Sequence, residues 1–124
     1  MIARRMMSVS KDAPSNGLHN NLLAYWRLDE ESGTRADSHS GGDNLSDNNS
    51  VGFATNGVVT TNAADFNEPD SEYLNKTASS GLNVGSGDFS VSAWVRFSGS
   101  GIRVIISRGN GGAGGKRWQL YVGN

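Results

Sequence analysis

The chain has 124 residues, 17 of them glycine, no cysteine and a formal net charge of -1. That length bounds it to one domain at most, and the near-zero charge gives no bulk attraction to nucleic acid or to an anionic membrane. Without cysteine it has neither a disulfide framework nor a thiolate ligand or nucleophile. No window approaches the roughly 18 consecutive apolar residues that a transmembrane helix needs.

Residues 1–17 mix basic, methionine and serine residues and end in Pro14-Ser15-Asn16-Gly17, which reads as a flexible leader. Its basic start turns polar before any apolar stretch of about 7 to 15 residues, so it is not expected to act as a signal peptide. Over residues 22–28, Leu22, Ala24, Trp26 and Leu28 share one face at period two, and this predicts the first strand. Asp29-Glu30-Glu31-Ser32-Gly33-Thr34 breaks it. Residues 41–49 then form an oxygen-rich loop, with one short strand expected at Leu45.

Residues 58–66 read as a strand interrupted by small residues, and residues 72–75 as a short edge-like strand after the turn Asn67-Glu68-Pro69-Asp70. The clearest alternation lies at residues 89–97. Phe89, Val91, Ala93, Val95 and Phe97 face one way, and Ser90, Ser92, Trp94 and Arg96 the other, as in a half-buried antiparallel strand. After Ser98-Gly99-Ser100-Gly101, residues 102–108 are expected to form a hairpin with that strand or to face it across a sandwich. The glycine run at 109–115 is expected to be a flexible loop before a last strand at 117–122. No segment carries a 3.6-residue pattern over three turns, so the class is all-β.

The charge is segregated. Residues 1–28 carry +3 and residues 89–124 carry +5, while residues 29–88 hold eleven acids against Arg35 and Lys76, a net of -9. One reading of the acidic stretch is calcium coordination, since that ion takes several hard oxygens from carboxylates, asparagine side chains and carbonyls. The other is solvated turns whose charge keeps sheet edges soluble. Asp37, Asp43 and Asp47 are the local calcium candidates, with Asp65 joining only if the fold brings it near.

Leu23-Ala24-Tyr25-Trp26-Arg27-Leu28-Asp29-Glu30-Glu31-Ser32-Gly33-Thr34, followed by Asp37-Ser38, resembles the opening of laminin G-like domains of the concanavalin A-like lectin and glucanase superfamily. Asn62-Ala63-Ala64-Asp65-Phe66, Glu72-Tyr73-Leu74 and Gly87-Asp88-Phe89-Ser90-Val91-Ser92-Ala93-Trp94-Val95 resemble the same family's next landmarks, in order. The resemblance spans residues 22–122. It implies an antiparallel two-sheet jelly-roll sandwich, with residues 18–124 forming a partial laminin G-like domain, incomplete at the C-terminus. An incomplete sheet leaves backbone donors and acceptors open to pairing with another chain, so a homo-oligomer or edge pairing is expected. The resemblance also implies a structural calcium at the sandwich rim and carbohydrate as the ligand.

The motifs of the chain point away from catalysis. His19 and His39 are far apart, no Gly-x-Ser-x-Gly elbow occurs, and the glycine run with Lys116 departs from a phosphate loop at Arg117. Some glucanases of the superfamily place two glutamates about 5 to 5.5 Å apart on one strand. Here Glu30 and Glu31 are adjacent, and Glu68 and Glu72 border a proline turn. Of Trp26, Trp94 and Trp118, Trp94 lies opposite Phe89 and Val91 in the alternation, which makes it the first candidate for a ring that stacks on sugar. The expectation is a non-catalytic carbohydrate-binding or adhesion module, extracellular or virion-associated, taking a glycan or cell-surface ligand without membrane insertion. The rival expectation is a structural display or assembly domain, such as a tail or fibre component, without sugar binding.

Overall fold

The computed structural model describes residues 21–39, 42–77, 81–109 and 118–123. The expected leader at 1–17, His19, residues 110–115 of the glycine loop, Lys116, and Arg117 of the expected last strand lie outside them. The chain divides into two compact units, Met1–Ser86 and Gly87–Asn124. The class is all-β. Among the described residues the ordered elements are six strands, paired as three antiparallel two-stranded ribbons, and one short 3-10 turn.

In the first unit, β1 (Ser46–Asn48) pairs with β4 (Tyr73–Asn75), and β2 (Gly52–Ala54) with β3 (Ala63–Asp65). The predicted strand at 22–28 keeps its expected face: Leu22, Ala24, Trp26 and Leu28 are half-buried, while Leu23, Tyr25 and Arg27 are exposed. It forms no ladder, only a bridge between Trp26 and Asp37, and Leu28 turns into the left-handed region at φ 58°. A left-handed leucine cannot extend a strand, which explains why the pairing stops there. A second bridge joins Arg35 and Leu45 through reciprocal N–H to O bonds of 2.9 and 2.8 Å, at the position where a short strand was expected.

The strand expected over 58–66 shrinks to Ala63–Asp65. Residues 57–61 fold back on themselves, the Gly57 amide donating to Thr61 O at 3.1 Å, and Val58 and Val59 stand in solvent. A β-carbon at Gly57 would fall 2.3 Å from Asn62 O, so the turn closes only because that residue is glycine. Around Pro69 the expected turn is a 3-10 turn, Glu68–Asp70, capped by Ser71 at φ 53°. It feeds β4 much as the sequence implied.

In the second unit, β5 (Arg103–Arg108) and β6 (Trp118–Val122) pair antiparallel, with a register shift between Val104 and Ile106. Residues 102–108 were expected to form a hairpin with 89–97 or to face it across a sandwich; among the described residues no such hairpin forms, and β5 pairs with β6. Gly99 and Gly101, at φ 94° and 101°, lie between the two segments. Residues 89–97 form no ladder among the described residues, and of their side chains only Val91 is half-buried. Alternation marks a segment able to pair, while the ladder itself is a relation with a second strand that the pattern does not specify.

Candidate functional site

Two places hold the residues that the sequence singled out. The first is a polar centre in the first unit. The bridge to Leu45 fixes the Arg35 backbone, and its side chain is fully buried, at 0% exposure. Nη1 donates to Gly33 O at 2.6 Å, and Nη2 to Val51 O at 2.9 Å and Gly52 O at 3.4 Å, while Nε has no partner. A guanidinium spreads five donors in a plane, so one side chain ties the loop before the bridge to the start of β2. Val51, buried to 1%, packs into the same region. Glu30 completes it: Oε1 accepts from Ala36 N at 2.8 Å, and Oε2 is buried without a partner.

Asp37 is buried beside this centre. Its Oδ1 accepts from Tyr25 N at 3.0 Å and His39 N at 2.9 Å, its Oδ2 from Asp43 N at 3.4 Å, and its own amide donates to Asn44 Oδ1 at 2.9 Å. Asp43 is also buried. Its carbonyl accepts the Trp26 indole N–H at 2.6 Å, and its carboxylate lies 4.0 Å from Lys76 Nζ, which donates to Gly42 O at 2.9 Å. Asp47 binds Val51 N through Oδ1 at 2.9 Å and Gly33 N through Oδ2 at 3.2 Å. Asp65 stands exposed on β3 opposite Gly52.

The structure therefore sets Asp37 and Asp43 side by side and commits Asp47 to a separate set of amides. Among the described residues no three acidic or histidine side chains converge as a cation site would require. Backbone N–H groups point at the carboxylates of Asp37 and Asp47, and an ammonium group stands near Asp43, where calcium would need bare oxygens. This arrangement does not fit calcium. What the Asp37 and Asp47 carboxylates do is accept backbone amide N–H groups of the loops around them.

Sequence reasoning missed Arg35 and Lys76 as structural residues. The signal was available: they are the only two cations among the eleven acids of residues 29–88. Each is built into the polar centre, one on carbonyls and one between a carbonyl and a carboxylate.

The second place is the aromatic set of the second unit. Trp94 is 78% exposed. Trp118 is half-buried, its ring 5.0 Å from that of Phe89 at 43°, and its indole nitrogen is buried with no hydrogen-bond partner among the described residues. Trp26, in the first unit, is half-buried and spends its N–H on Asp43 O. Of the three tryptophans, Trp94 alone offers most of its ring to solvent, on a segment where Val95, Arg96 and Phe97 are exposed too. Comparisons of this chain with protein-family models, with characterised proteins and with solved structures each return no match.

Proposed function

We propose that the chain is a non-catalytic carbohydrate-binding or adhesion module of an extracellular or virion surface protein, built as part of an antiparallel two-sheet jelly-roll sandwich of the laminin G-like kind. The observation that carries this reading is the exposure of Trp94. A large apolar ring standing free in water is costly, and the apolar face of a sugar covers it without asking for a deep pocket. Covering roughly 80 Å² of the ring is worth about 2 kcal/mol, short of the ~4 kcal/mol of a millimolar site, so useful adhesion requires many copies acting together.

The test is a glycan array probed with the multivalently displayed chain, with and without calcium, in native and Trp94→Ala forms. Specific hits that fall by roughly thirtyfold in Trp94→Ala support the reading. Silence across the array, or hits indifferent to the substitution, rejects it. A structural display or assembly domain is the second reading, favoured by the second edge of β6, which pairs with no strand among the described residues.

A further inference from the structure

The β5–β6 ribbon has two unlike edges. β5 carries Arg103 and Arg108, one at each end, as edge strands that resist pairing commonly do. β6, Trp118-Gln119-Leu120-Tyr121-Val122, carries no charge and no proline, and among the described residues it pairs with β5 alone. The register puts Val122 opposite Arg103, Leu120 opposite Ile106 and Trp118 opposite Arg108 on one face, which is half-buried apart from Leu120. The other face carries Val104 with Tyr121 and Ser107 with Gln119, all exposed.

We propose that β6 pairs with β6 of a second copy of this chain, antiparallel and centred on Leu120, giving a four-stranded sheet across the dimer. The strand is complementary to itself in that register. Leu120 meets Leu120, Trp118 meets Val122, and Gln119 meets Tyr121, so the apolar faces of the two ribbons become continuous and no charge faces another. The arginines of the two β5 strands end three strand spacings apart, about 14 Å, which exceeds the screening length of about 8 Å at physiological salt. Pairing through β5 would instead set Arg103 and Arg108 of the two copies side by side. The charges thus select a second copy at β6 and disfavour it at β5. The paired area is small, so dissociation is expected on the order of 100 μM. The inference does not depend on sugar binding, and it gives the assembly reading a specific partner.

Sedimentation of the full chain from ~10 μM to ~1 mM tests it, with two double variants at the exposed positions 119 and 121. Gln119→Lys with Tyr121→Lys sets like charges opposite each other twice across the dimer axis and is expected to weaken association about tenfold or more, with partial recovery in high salt. Gln119→Lys with Tyr121→Glu sets opposite charges there and is expected to restore the dimer. Because both variants change only exposed side chains, circular dichroism of each should match the native chain. A monomer throughout the range overturns the inference, whether or not the chain's own 89–97 segment protects the β6 amides. A dimer indifferent to the lysine pair also overturns it, and leaves assembly through some other surface.

Discussion

Asp37 gives the sharpest test of what the acidic stretch is for. Its carboxylate accepts backbone N–H bonds from Tyr25, His39 and Asp43, and it is 4% exposed. Asp37→Ala strands all three donors. With about 1 to 1.5 kcal/mol for each such bond, and the 3.4 Å contact counting least, the expected loss is about 3 kcal/mol. Asp37→Asn keeps an oxygen where Tyr25 and His39 converge on Oδ1 and turns an NH₂ toward the Asp43 amide, for an expected loss of about 1 kcal/mol. At about 4 to 8 °C per kcal/mol, the alanine variant should melt roughly 12 to 24 °C below the native chain and the asparagine variant by less than half of that. Thermal melts give the totals, and amide exchange at Tyr25 and His39 localises them. If the two variants are equally destabilised, the negative charge rather than the acceptor geometry is what counts, and the hydrogen-bond argument fails.

The first unit supplies three further expected outcomes. Millimolar calcium should leave the melting temperature within about 1 °C of the calcium-free value, because ligand stabilisation requires a site that the native state offers; a rise of several degrees, abolished in Asp43→Asn, would place the ion where Lys76 now stands. Gly57→Ala should cost about 2 kcal/mol or more, read by denaturant midpoint, since its new carbon meets the backbone oxygens of Asn62 and Thr60 and no side chain is there to yield. Gly33→Ala meets nothing within 4 Å, so it reports only the smaller cost of a φ of 70° in a residue with a side chain.

The class of the fold was legible because it depends on local signals. Period-two alternation gave the face of residues 22–28, and turn chemistry gave the bend around Pro69. Ladders were not legible, because a strand is a relation between two segments. Residues 89–97 have the best alternation in the chain and pair with nothing described, whereas Ser46–Asn48, with no apolar residue at all, forms β1. That strand exists because Asp47 and Asn48 bond outward, Asp47 to two amides and Asn48 to Asn75 on β4. In the candidate site Trp94 is exposed, but so are Phe89, Val95 and Phe97 on the face opposite it in the alternation, so its exposure does not follow from the pattern. The two cations among eleven acids marked Arg35 and Lys76 as worth following, but that signal predicts ion pairs, and the Arg35 bonds go to three carbonyls instead.

The bonds that knit the first unit join residues far apart in sequence. Lys76 reaches Gly42 across 34 positions, Asn62 reaches Asp29 across 33 and Asn48 reaches Asn75 across 27. Closing a flexible segment of about 30 residues costs about 3 kcal/mol of chain entropy before its contact returns anything. Early in folding this unit has little to hold it, so its order should come in one late cooperative step, with refolding on the slow side for its size.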